Sequence, residues 1–374
     1  MFRLARRVAV CALVLCAWSV RAAGACPSAC ECSEAAQTVK CVSRELREVP
    51  RGIPGYARNL FILGNRIRRL APGAFSGLEN VTNLSLSNNR IVEVESHSFG
   101  ALRSLRSLDL SGNQLALIHP EALAVPGSPL RELNLSRALY NRSAAADLAT
   151  ALRWGALSGL QALDLSANRL LFLPAAMFAP LPALRRLTLA NNSLLALPNG
   201  SFLGLEALED LDLSLNGFRA FRREALRELD RLGRARLRLA HNPLACVCGL
   251  EEFCAWLNAS LGRVQDGERL ACSSPPELRN ASLSALGGRA LGCHGDGAGQ
   301  GAGLALQTSY VLLGLVLGLV GVLFLFVLYL NRHGIKKWAL ETREACREVL
   351  EGYHYRYEID SDPRLGQICT SGDL

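Results

Sequence analysis

The side chains best suited to chemistry in this 374-residue chain are thirteen cysteines and six histidines. The histidines are scattered and none falls in a metal-ligand or nucleophile motif, so no catalytic centre, metal site or cofactor is expected. The glycine-rich run from Gly295 to Gly303 lacks the flanking strand and helix of a phosphate loop and reads as a flexible stalk. The cysteines do cluster. Cys26-Pro27-x-x-Cys30-x-Cys32-x8-Cys41 stands near the start, and Cys246-x-Cys248, Cys272 and Cys293 stand much later. Each cluster has the ligand count of a zinc site and the parity of two disulfides, so the compartment must decide.

Two apolar runs indicate that compartment. Met1 to Arg7 carries three arginines, Val8 to Val20 is uncharged, and small residues follow at Ala22, Ala23, Gly24 and Ala25. This is the order of a secretory signal peptide over residues 1–25, and the mature chain is expected in an oxidising compartment where the clusters form disulfides. Near the other end, Tyr310 to Leu330 is 21 residues without a charge, long enough to cross about 30 Å of hydrocarbon as a helix. Arg332, Lys336 and Lys337 follow it at once, so residues 309–331 are expected to anchor a single-pass type I protein. A stalk at 294–308 precedes the span, and a cytosolic tail at 332–374 follows it. Gly314 and Gly318 form a G-x-x-x-G step that allows a homodimer through this helix. Lys plus Arg number 41 against 33 acids, a net charge of +8, but only Lys40, Lys336 and Lys337 are lysine. That Arg-heavy bias does not read as nucleic-acid binding.

The elements that position everything else repeat. The pattern L-x-x-L-x-L-x-x-N-x-L places asparagines at Asn65, Asn89, Asn113, Asn168, Asn192, Asn216 and Asn242, at intervals of 24, 24, 55, 24, 24 and 26 residues. The long interval hides an eighth unit around Leu130, Leu133 and Leu135, with Ala138 in the asparagine place. Each unit predicts one short strand with inward leucines and a turn closed by the asparagine side chain. The expected fold is an α/β solenoid: a leucine-rich-repeat horseshoe of eight units over residues 56–242, with disulfide caps at 26–55 and 243–293. Phe75, Phe99, Phe178 and Phe202 recur ten residues after their asparagines and predict convex-side packing. An insertion at about 139–159 interrupts the fourth unit, where Asp147, Leu148, Ala151, Leu152 and Trp154 suggest a short helix on the convex side.

On the concave face, equal strand positions in adjacent units lie about 5 Å apart. Arg186, Asp210 and Arg236 should form a row of alternating sign that neutralises itself. Phe61 and Leu63 are apolar on a face expected to be wet and are the candidate partner contact. Eight N-glycosylation sequons occur, at Asn80, Asn83, Asn134, Asn141, Asn191, Asn199, Asn258 and Asn280. Glycans at Asn83 and Asn134 would shield the middle of the concave face. Residues 219–238 hold eight arginines against three acids; they read as a solvated face, with sulfated glycan as the alternative ligand. Cys254, flanked by Leu250, Phe253 and Leu257 at helical spacing, reads as a buried free thiol.

The two cysteine clusters resemble the caps of extracellular leucine-rich-repeat proteins, which implies Cys26–Cys32, Cys30–Cys41, Cys246–Cys272 and Cys248–Cys293; spacing alone leaves the connectivity open. Tyr329-Leu-Asn-Arg332-x-Gly334-Ile-Lys-Lys-Trp338, Glu351-Gly-Tyr-His-Tyr-Arg-Tyr-Glu-Ile359 and Asp362-Pro-Arg-Leu365 are similar to the tail of the trophoblast glycoprotein family. That resemblance implies a non-enzymatic plasma-membrane glycoprotein that restrains Wnt signalling, with a Wnt receptor component among its partners. It equally implies a role in adhesion and motility through partners on other cells.

Overall fold

A computed structural model describes residues 26–125, 127–260, 262–283, 286, 316–327, 329–332 and 334. The predicted signal peptide, Cys293, the stalk, Gly314 and most of the tail lie outside the described residues. Two units, 1–293 and 294–374, divide the chain.

A ten-stranded sheet runs the length of the first unit. It opens with the antiparallel pair Glu31–Ser33 and Thr38–Val42, and every later rung is parallel. Eight rungs follow, beginning with Asn59–Leu63 and Asn83–Ser85 and ending with Asp210–Asp212 and Arg236–Arg238. Most rungs are only three residues long because a single buried leucine anchors each one, as Leu84, Leu108, Leu133, Leu163, Leu187 and Leu211 do. The residues on either side of each anchor point the other way and stay open.

The turn after every rung but Glu132–Asn134 is closed by the predicted asparagine. Asn89 is fully buried; its Nδ2 donates to the Ile62 carbonyl at 2.5 Å, and its Oδ1 accepts the Asn65 N–H at 3.0 Å. Asn65, Asn113, Asn168, Asn192, Asn216 and Asn242 are buried in the same way, so the ladder satisfies backbone groups that the turns would otherwise strand in the core. Ala138 interrupts it: it offers Asn113 no side-chain acceptor, while its own N–H donates to Asn168 Oδ1 at 2.8 Å and the ladder resumes.

The recurring phenylalanines are buried, and Phe75 stacks on Phe99 at 5.7 Å. Three two-residue strands, Arg69–Leu70, Glu93–Val94 and Leu117–Ile118, form a second parallel sheet beside them. The insertion folds as the helix Arg142–Trp154, which packs on Leu117–Ile118 and so covers the edge of that second sheet. It begins five residues before the predicted Asp147, because Asn141 caps it by accepting the Ala144 N–H at 2.9 Å.

Among the described residues disulfides join Cys26 to Cys32, Cys30 to Cys41 and Cys246 to Cys272. At the far end, Asp266 accepts the N–H groups of Leu239 and Ala240, and the Leu237 N–H donates to the Arg263 carbonyl, so the last rung is not left bare. Phe218, Phe221, Phe253 and Trp256 form a chain of rings at 4.9, 4.9 and 5.9 Å that joins the last repeat to the cap helix Glu251–Ala259.

In the second unit, residues 316–327 are helical and their apolar side chains are exposed. Among the described residues no helix is long and apolar enough to cross a membrane. The expected span begins at 309, outside them.

Candidate partner-binding surfaces

The open face of the ten-stranded sheet divides into three stretches. At its start, Lys40 lies beside Phe61 and Val42 beside Leu63 in register. Phe61 and Leu63 are half-buried and Val42 is 44% exposed, so three apolar side chains sit together in the open with one lysine at their edge. On the next rung Ser85 lies beside Phe61 in register, a side chain too small to cover it.

The middle stretch is polar and locally satisfied. Asp109, Asn134, Asp164 and Asp212 each accept the N–H two residues on, at 2.9, 2.9, 2.8 and 3.0 Å, which turns the chain out of the strand. Ser85 donates to Asp109 at 2.7 Å and Asn83 to Asn59 at 2.7 Å. Asn83 is exposed and Asn134 half-buried, both on strands of this sheet. The other six sequon asparagines, Asn80, Asn141, Asn191, Asn199, Asn258 and Asn280, are all exposed.

The last stretch is charged and paired. Asp210 lies between Arg186 and Arg236 in register, and Arg236 bonds Asp210 at 2.7 Å. Arg238 pairs with Asp212 at 3.3 Å and Arg185 with Glu209 at 3.1 Å. The carboxylate nearest Arg186 differs from the expected one: it is Glu132, two rungs back at 3.7 Å, reached across the short Ala162 side chain. Hydrogen bonding to Asp210 raises the Arg236 pKa further above its already high range.

Cys254 is half-buried rather than enclosed, since one side of the cap helix remains open. Burial first, and the Glu251 carboxylate second, push its thiol pKa up, which keeps it protonated and unreactive.

One surface has no counterpart in the pattern of the sequence. Tyr140, 71% exposed, and Phe172, 58% exposed, line a hollow of about 690 Å³ between the insertion helix and the turn after Asn168. Phe172 falls outside the repeat template.

A family model described as "Leucine rich repeat" matches residues 57–115, 150–194 and 182–244. Trophoblast glycoprotein of Macaca fascicularis is 45% identical over 366 residues, covering 93% of this chain and 86% of that protein. The Homo sapiens protein is 48% identical over 365 residues with the same coverage. Homo sapiens trophoblast glycoprotein-like is 48% identical over 150 residues, 38% of this chain and 39% of that one. The crystal structure of human 5T4, described also as Wnt-activated inhibitory factor 1 and trophoblast glycoprotein, superposes with a TM-score of 0.67 at 41% identity. It covers 72% of this chain and 99% of its own.

Proposed function

The chain belongs to the trophoblast glycoprotein family, and from that premise we propose that it is a cell-surface glycoprotein that restrains Wnt signalling by binding a protein of the receptor apparatus. The observation that carries this reading is the contrast along the sheet. Half-buried Phe61 and Leu63 join exposed Val42 in an apolar cluster at one end, whereas the charges of the sheet at the other end are already paired. An apolar cluster with a charged rim is what a protein partner buries as its anchor. The name Wnt-activated inhibitory factor 1, borne by the 41% identical human relative, supplies the pathway.

Secretion through the 1–25 signal, Cys248–Cys293 pairing and glycans at the eight sequons belong to the same reading. So does anchoring through 309–331 with the amino terminus outside. The exposed apolar side chains of helix 316–327 support a lipid environment. The Ala- and Arg-rich composition favours the trophoblast glycoprotein-like branch of the family.

A Wnt-responsive reporter in cells expressing the full chain tests the proposal. Phe61→Asp with Leu63→Glu should weaken repression by roughly tenfold while surface expression stays unchanged. Unaltered repression by that variant removes the patch from the site. If the wild-type chain leaves the reporter unmoved but makes expressing cells cluster, the adhesive role replaces the regulatory one.

A further inference from the structure

Four arginines that are distant in sequence converge on one flank of the first coils. Arg47 comes from the amino-terminal cap, Arg66 and Arg68 from the turn after Asn65, and Arg90 from the turn after Asn89. Together with Gln114 from the third repeat they line a groove of about 690 Å³. Backbone bonding fixes the convergence: the Arg66 N–H donates to the Leu46 carbonyl at 2.7 Å, and the Val92 N–H to the Arg68 carbonyl at 2.8 Å. The Gln114 N–H donates to Ile91 at 2.9 Å, so the side chains fall on successive coils. At about 5 Å per coil, Arg47 to Gln114 spans about 15 Å.

The charge in this groove is largely unanswered. Arg66 pairs with Glu45 at 2.7 Å. Among the described residues Arg47, Arg68 and Arg90 have no carboxylate within ion-pair distance, and Glu93 and Glu95 of the second repeat are engaged by Arg69. All four groove guanidiniums are exposed. No apolar or aromatic side chain lines the groove, so it offers neither the anchor pocket of a protein interface nor a platform for stacking bases. No sequon shields it either: Asn83 lies on the sheet, Asn80 reaches Gly55, and the next sequon is Asn134.

We propose that this groove binds a sulfated glycosaminoglycan chain. Guanidinium groups match the geometry of sulfate oxygens bidentately, and a row of them on successive coils suits a linear polyanion better than a single anion. The inference rests on the extracellular placement proposed above but not on any effect on signalling.

The test uses the full chain in detergent micelles over immobilised heparin. The wild type should be retained and elute only as salt rises. Arg47→Ala, Arg68→Ala and Arg90→Ala combined should weaken heparin affinity at least tenfold. Arg222→Ala, Arg227→Ala and Arg234→Ala combined, an equal loss of charge at the other end, should change it less than twofold. Matching thermal unfolding of the two variants shows that both are folded. The proposal is overturned if the two variants weaken equally, if the first matches wild type, or if N- and O-desulfated heparin or polyglutamate competes as well as heparin. It is likewise overturned if vesicles containing phosphatidylserine are bound and heparin fails to displace them. A chain that binds heparin but leaves Wnt output unmoved upholds this site while refuting the regulatory reading.

Discussion

Two arginine-rich regions lie at opposite ends of the same solenoid, and they differ in arrangement and in the share of their charge that is answered. Residues 219–238 pack eight arginines into one short stretch, and half of them meet carboxylates: Arg223 with Glu252, Arg231 with Glu228, Arg236 with Asp210 and Arg238 with Asp212, while Arg219, Arg222, Arg227 and Arg234 form no ion pair among the described residues. The groove near the amino terminus is assembled from three separated stretches, and only Arg66 among its four arginines is answered. Density along the chain is therefore a poor guide to density in space. A repeat of 24 residues makes residue i and residue i+24 neighbours, so acids one coil away decide whether a run of arginines carries a field.

The largest expected effect comes from breaking a buried pair at the carboxy-terminal end. The Glu228 side chain, 1% exposed, accepts the Gly200 N–H at 2.9 Å and the Phe202 N–H at 3.2 Å, with Arg231 at 3.4 Å. Glu228→Ala strands two backbone donors beneath the helix Arg223–Arg231 and should cost about 3 kcal/mol in urea unfolding. A loss under about 1 kcal/mol would mean that this region is held by its rings alone. Heparin affinity of the folded variant should stay as in wild type, since the groove is elsewhere.

What was legible in the sequence follows from how short the signals are. The leucines, the ladder asparagines and the phenylalanine row repeat with a fixed period, so one unit confirms the next, and Ala138 is visible as an exception. The insertion helix is readable from Leu148, Ala151 and Leu152, but its start depends on Asn141, whose sequon masks its capping role in the sequence. The two-residue strands of the second sheet are too short for alternation to mark them. Phe61 and Leu63 stood out because the template demands polar residues there. Arg47, Arg68 and Arg90 each look like an ordinary solvated side chain, and only the coil-to-coil register joins them.

Cys254 gives an intermediate test of how closed the carboxy-terminal end is. It shares the helix Glu251–Ala259 with Glu252, the partner of Arg223. Its pKa in the fold lies above its ordinary value of 9.0, through burial and then Glu251. A thiol with a raised folded pKa ionises first in the unfolded chain. Its stabilising share is therefore intact below about pH 9 and is lost as pH rises from there towards the folded value. Alkylation of Cys254 by iodoacetamide at pH 7.5, followed by peptide mapping, should run about tenfold slower than in the urea-unfolded chain. Equal rates would show that the helix opens freely, and Cys254→Ser should remove any decline in stability near pH 9 that this thiol causes.

The smallest effect should come from the pairs that neutralise the arginines. Arg236 bonds Asp210 at 2.7 Å, but the two side chains are 54% and 22% exposed, so water and salt screen most of the attraction. Hydrogen bonding to Asp210 raises an arginine pKa that already lies above any physiological pH, so this guanidinium stays charged across pH 5 to 9 and adds no pH dependence of its own. Arg236→Ala should thus shift the urea-unfolding midpoint far less than Glu228→Ala does, and 0.5 M salt should erase part of even that. The change leaves Asp210 facing Arg186 with one cation fewer beside it. If stability instead falls as far as in Glu228→Ala, the pairing at this end is structural, and the comparison with the open groove becomes one of architecture rather than of charge.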